Sequence, residues 1–277
     1  RHCSEDIIVM ETENKLVSYF QFYLVSHPKI VDFSWNRGRT FASTPEFLAV
    51  AVSAYLAFSL LLPRIPIYSV DPYFLKSITA LHSLTLFLLS IIMAFGCILS
   101  VLLHPSPIHA LCFPKNTIPS GPLFFWAYVF YLSKILEFGD TLLIILSKSI
   151  NRLTFLHVYH HATVPVMCFI WLETSQSLFP VALITNALVH TVMYYYYFCC
   201  ALGDRPRWKK LVTNSQIVQF IFGFVISGWM LLKHFFGEGC SGIEGWYFNS
   251  IFNATLLGLF LDFHFKSYKK NKAAGGK

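Results

Sequence analysis

Three histidines fall within five residues of this sequence, in the run His157-Val158-Tyr159-His160-His161. Imidazole at that density serves one of two chemistries. It ligates a metal, or it moves protons and attacks electrophiles directly. Residues three and four apart share a helix face, so His157 stands beside both His160 and His161. Other polar groups interrupt neighbouring apolar runs: Lys134, Glu137, Asp140 and Thr141; Asn186, His190, Met193 and Tyr194, followed by Tyr195, Tyr196 and Tyr197; and Thr213, Gln216 and Gln219. A Lys–Glu pair or a lone His190 is readily structural. Three imidazoles in five positions of an apolar helix are not, because strongly charged groups inside a membrane span are destabilising by about 2.5–3.5 kcal/mol and polar ones there usually mark a functional interior.

The elements that carry these groups are membrane spans. The 277 residues are 55% hydrophobic and 13% charged, about half the charge of a soluble domain. A crossing helix needs roughly 20 mostly apolar residues. Seven stretches meet that length, at approximately 44–62, 76–103, 122–147, 153–173, 179–202, 211–235 and 245–267. The expected fold is an all-α integral membrane protein of seven transmembrane helices. A lumenal segment at 1–43 precedes a membrane domain at 44–268, and a basic cytosolic tail follows at 269–277.

Charge sets the orientation. Lys148 and Arg152 follow the third span, Arg205, Arg207, Lys209 and Lys210 the fifth, and Lys266 and Lys269 the seventh. Acidic Glu5, Asp6, Glu11 and Glu13 fall on the opposite side. The positive-inside rule then puts the C-terminus in the cytosol and the N-terminus across the membrane. Cys112 and Cys240 lie in loops on the non-cytosolic side, where a disulfide between them is expected. At 1.5 Å per residue the polar clusters share the cytosolic half of the bilayer, which would make one chamber. The net charge of +7 is gathered in short loops, which suits membrane topology and an anionic ligand and not a nucleic-acid groove.

The remaining histidines, His2, His27, His82, His104, His109, His234 and His264, are scattered and repeat no box. One box plus His190 is too small a ligand set for a di-iron lipid desaturase or hydroxylase, so no metal is expected. A seven-helix receptor is a further alternative, disfavoured by polar groups that lie toward the cytosol.

Lys134-x-x-Glu137-x-x-Asp140-Thr141, His157-x-x-His160-His161, His190-x-x-Met193-Tyr194-x-Tyr196-Tyr197 and Thr213-x-x-Gln216-x-x-Gln219-Phe220 resemble, in order and spacing, the signature motifs of the ELO family of very-long-chain fatty-acid elongases. The likeness spans residues 44–268. It implies a 3-oxoacyl-CoA synthase of the endoplasmic reticulum membrane, condensing acyl-CoA with malonyl-CoA without a cofactor. The other enzymes of the elongation cycle would be its partners, and a homodimer is compatible with the sequence.

On that reading the seven helices enclose an acyl tunnel, and the basic loop residues hold the phosphates of coenzyme A. The resemblance ranks His160 as the nucleophile. His157, His161 and His190 orient it or move protons, and Asn186, Tyr196, Gln216 and Gln219 donate hydrogen bonds. Lys134, Glu137 and Asp140 fix imidazole tautomers or bind the thioester carbonyl. Trp171, Phe179 and Trp229 are the candidates for setting tunnel length.

Overall fold

A computed structural model describes residue 15, residues 17–66 and residues 70–274, with side chains through residue 267. The described residues form an all-helical chain with one isolated bridge, between Ser34 and Ser120. We label the helices α1 (Pro45–Leu61), α2 (Pro72–Leu102), α3 (Pro122–Leu136), α4 (Phe138–Leu146), α5 (Phe155–Glu173), α6 (Phe179–Leu202), α7 (Lys209–Phe236) and α8 (Ile243–Ala274). Four segments are long and apolar enough to cross a membrane by length and composition: Pro45–Arg64, Pro72–Leu102, Phe155–Glu173 and Lys209–Phe236. Of the other three stretches, α3 and α4 are divided at Glu137 into shorter helices, and α6 and α8 are long enough but have no sufficiently apolar stretch of that length.

Local chemistry explains the helix ends. Proline occupies the first position of α1, α2 and α3, where its missing N–H has no intrahelical partner to lose. Thr44, Asp71 and Thr154 cap α1, α2 and α5 by accepting from Phe47 N, Phe74 N and His157 N. Gly203 closes α6 with φ of 103°, the left-handed conformation that a helix-terminating glycine adopts without penalty. Two ends differ from expectation. The Asp71–Pro72 cap starts α2 earlier than residue 76, and α8 continues past 268, because helix-forming Lys and Ala follow without a breaker until Gly275.

Packing is inside-out relative to a soluble protein. Val218, Ile221, Val225, Trp229 and Leu232 are more than half or about half exposed along α7, as are Leu81, Leu88 and Phe95 along α2. Apolar surface of this extent belongs against lipid. The core lies between α3, α5 and α6, where Phe130, Trp171 and Phe179 are almost fully buried and stack in series.

One end of the bundle is tied by its loops. Cys112 and Cys240 form a disulfide with Cα atoms 5.0 Å apart. Ser177 N donates to Ser241 O, Ser241 N to Phe113 O, and Phe113 N to Ser177 Oγ, so the connections before α3, α6 and α8 meet there. The chain before α1 covers the same end: Trp35 Nε1 donates to Glu173 Oε1 at 2.8 Å, and Tyr131 OH to Ala42 O at 3.1 Å.

Candidate active site

Lys134 sits in the last turn of α3 and Glu137 at the break before α4. Lys134 Nζ donates to Glu137 Oε1 at 2.6 Å and to Asn186 Oδ1 at 3.3 Å. His190 Nδ1 lies 3.2 Å from the same Glu137 oxygen and 3.4 Å from Lys134 Nζ. One nitrogen cannot serve both as donor to the carboxylate and as acceptor from the ammonium. Protonated, Nδ1 donates to Glu137; deprotonated, it accepts from Lys134, so the tautomer of His190 is coupled to the ion pair. A buried Lys–Glu pair needs such extra partners, since mutual attraction alone only roughly offsets desolvation.

Asp140, in the first turn of α4, holds two groups. Tyr194 OH donates to Oδ2 at 2.7 Å, and His82 Nε2 of α2 lies 3.2 Å from Oδ1, close enough for an ion pair but off-line for a hydrogen bond. Gly139 makes this approach possible, because a Cβ there would come within 2.7 Å of His82 Cε1. Thr141 then connects to the box. Its Oγ1 is 2.8 Å from His157 Nε2 and 3.2 Å from the buried Tyr55 hydroxyl. His161 is buried beside His157 and Tyr55, with ring centroids 4.5 and 6.2 Å away.

His160 takes the other direction. It lines a cavity of about 80 Å³ between α5, α6, α7 and α8 with Phe130 of α3 at one side. His160, Val164, Met167 and Trp171 form one stripe of α5 facing this space. Asn186 and Gln219 line it too, and Trp171, about three turns along α5 from His160, lies with Gln176 and Asn249 at the far end. Neither His157 nor His161 lines the cavity.

Most of the polar residues expected from the sequence therefore converge, through two linked sets. Lys134, Glu137, Asn186 and His190 form one; Asp140, Thr141, His157 and His161 form the other. Gln219 reaches the cavity, whereas Gln216 Nε2 contacts Met193 Sδ at 3.6 Å and is not part of the lining. Tyr196 packs against Trp208 and Tyr197. The tyrosine that enters the site is Tyr194, fully buried on Asp140. His82 and Tyr55 also belong to the site, although each stands among Ser and Thr residues of an otherwise apolar helix, outside any histidine or carboxylate cluster that would single it out.

The basic residues lie at the end of the bundle opposite the disulfide. Lys148, Arg152, Arg205, Arg207, Lys209 and Lys210 are exposed there, with the Arg152 guanidinium 5.9 Å from the Tyr197 ring centroid. Lys266 is exposed and paired with Asp262 one turn away at 2.7 Å. The Lys269 side chain lies outside the described residues, as do the acidic Glu5, Asp6, Glu11 and Glu13. Lys76 of α2, whose Nζ approaches Gly203, adds a cation to this end that the loop inventory lacked. Of the tunnel-length candidates, Trp171 lines the cavity, Phe179 packs behind it, and Trp229 is 62% exposed on the outer face of α7.

A helical membrane protein with a buried histidine cluster opening onto an apolar cavity is the class these features define. The chain belongs to the ELO family: residues 40–275 match the model described as the GNS1/SUR4 family. It is 32% identical over 272 residues to a fatty acid elongase 3-like protein of Arabidopsis thaliana, covering 91% of this chain and 93% of that one. Fatty acid elongase A of Dictyostelium discoideum is 36% identical, covering 69% of this chain and 72% of the relative. Very long chain fatty acid elongase 5 of Rattus norvegicus is 35% identical, covering 55% and 50%.

Proposed function

We propose that this protein is a very-long-chain 3-oxoacyl-CoA synthase, an acyltransferase that condenses a long-chain acyl-CoA with malonyl-CoA in the first step of fatty-acid elongation. The observation that carries the reading is the position of His160, the one box imidazole on the wall of a long apolar cavity. The names of its relatives as fatty acid elongases point the same way.

The chemistry closes with the residues at hand. A nitrogen of His160 attacks the acyl thioester carbonyl; the C–S bond breaks, and coenzyme A leaves as thiolate and takes up a proton. Malonyl-CoA then enters and loses CO2, the electrons of the broken C–C bond forming an enolate. Its carbon attacks the acyl-imidazole carbonyl, the C–N bond breaks, and the electron pair returns to His160 as 3-oxoacyl-CoA departs. Asn186 and Gln219 line the same cavity as His160 and are the candidates to hydrogen-bond the developing oxyanion. His157, oriented by Thr141, and His190, oriented by Glu137, are the candidates for proton transfer.

In this reading seven spans cross the endoplasmic reticulum membrane, with α3 and α4 sharing the third. The N-terminus and the disulfide face the lumen, and the C-terminus and basic end face the cytosol. Lys148, Arg152, Arg205, Arg207, Lys209, Lys210, Lys266 and Lys269 are proposed to meet coenzyme A phosphates, with the substrates themselves and no cofactor in the site.

The deciding experiment incubates purified full-length protein with malonyl-CoA and an acyl-CoA series. Products longer by two carbons as 3-oxoacyl-CoA are expected by mass spectrometry. Absence of both condensation and coenzyme A release across the series rejects the proposal.

A further inference from the structure

The cavity is chemically uneven along its length. Its middle is bounded by Val164, Met167, Ala182 and Phe220, but its far end holds two buried polar atoms with no partner among the described residues, Trp171 Nε1 and Asn249 Oδ1. Trp171 is 1% exposed and Asn249 5%. Three donors around them are satisfied. Asn249 Nδ2 donates to Gln176 Oε1 at 2.8 Å, Gln176 N donates to Trp171 O at 3.0 Å, and Trp246 Nε1 donates to Ser227 Oγ at 3.2 Å. The indole is held face to face between Phe130 and Phe179, and the Asn249 amide is anchored by Gln176, so neither orphan atom turns easily toward another partner.

A plain methyl terminus leaves both atoms unpaired, which is destabilising wherever water is excluded. One lone donor and one lone acceptor are the complement of a hydroxyl, which accepts through oxygen and donates through hydrogen. We infer that the far end of this cavity binds a hydroxyl near the distal terminus of the acyl chain, so that the preferred acyl donor is a hydroxylated long-chain acyl-CoA. The inference rests on the condensing-enzyme reading above. The hydroxyl accepts from Trp171 Nε1 and donates to Asn249 Oδ1. His160 and Trp171 lie on one helix roughly 16 Å apart. An extended chain advances about 1.2 Å per bond, which puts the hydroxyl roughly a dozen or more bonds from the thioester carbon.

The test uses the full chain in proteoliposomes with malonyl-CoA and paired acyl-CoAs of equal length, plain and ω-hydroxylated, over about 10–18 carbons. At one length in that window kcat/KM for the ω-hydroxyacyl-CoA is expected to exceed that of its plain partner by about tenfold or more. Trp171→Phe and Asn249→Leu are each expected to pull that ratio to about one. The ratio is taken within a single variant, so poorer folding does not move it, and the wild-type ratio decides alone if neither variant accumulates. A wild-type ratio of one at every length, as when water alone satisfies both atoms, overturns the hydroxyl site and leaves the condensation reading standing. So does a ratio that neither variant changes. No condensation with any acyl-CoA, plain or hydroxylated, overturns the condensation reading and this inference with it.

Discussion

Lys134 and Glu137 form a 2.6 Å ion pair in which each side chain is 2% exposed, and His190 leans on the same carboxylate oxygen. Removing either partner strands a charge in the bundle. Lys134→Met or Glu137→Gln is expected to lower stability by about 3–5 kcal/mol, whereas the double variant should lose less than the sum of the two. Thermal unfolding in detergent across the four proteins measures the coupling. Additive losses would mean that the pair does not interact.

His160→Ala should remove the acyl-enzyme adduct and lower condensation by about 10³-fold or more, with the protein still folded. His157→Ala, which leaves His160 in place, should still form the adduct at a reduced rate. Intact-protein mass after brief exposure to acyl-CoA alone separates the two. An adduct persisting in the His160 variant would assign the nucleophile elsewhere.

The contact between α2 and α4 depends on Gly139. Adding a Cβ there presses on His82, and overpacking of this kind is destabilising by about 1–3 kcal/mol. Gly139→Ala is expected to lower the unfolding temperature and displace Asp140, reducing turnover. Tyr194→Phe, which removes only the hydrogen bond to Asp140, should reduce turnover with a smaller effect on unfolding. Comparing the two variants by kcat and by melting distinguishes packing from polar positioning.

Gly223 lines the cavity with open space where its Cβ would be, while Gly228, on the same helix, has equally open space and lies outside the lining. Gly223→Leu should therefore obstruct the middle of the tunnel and shift products to shorter chains. Gly228→Leu should leave the product distribution as it was. Chromatography of products from both variants reads this directly, and an identical distribution for Gly223→Leu would place the acyl chain elsewhere.

Much of this arrangement is legible in the sequence because membrane helices declare themselves locally. Apolar length and the prolines near 45 and 122 mark ends without reference to tertiary contacts, whereas the Pro72 start lies ahead of the expected residue 76. The box and its partners were also visible, since imidazoles clustered at helical spacing identify a face. Direction within the bundle was not. Gln216 and Gln219 share a face of α7, about 60° apart around the helix, yet Gln216 meets Met193 and only Gln219 lines the cavity, a difference set by what packs at each level and not by spacing. His82 and Tyr55 have no ionisable neighbour within one turn of their own helices, only Ser and Thr. Their membership in the site comes only from the approach of α2 and α1 to α4. Trp229 faces outward for the same reason: a hydrophobic side chain reads alike whether lipid or a tunnel is its solvent.

The bond between Cys112 and Cys240 joins positions 128 apart in the chain and closes a covalent ring. Helices α3 to α7, with the histidine box, Lys134 to Thr141, Asn186, His190 and Tyr194, lie inside that ring; Tyr55 and His82 reach the site from outside it, and α8 departs three residues beyond the clasp. A single backbone cut anywhere within the ring would leave one connected molecule with both its tails still attached. After denaturation without reductant, such a nicked chain keeps its full mass on a gel, and only reduction lets the pieces part.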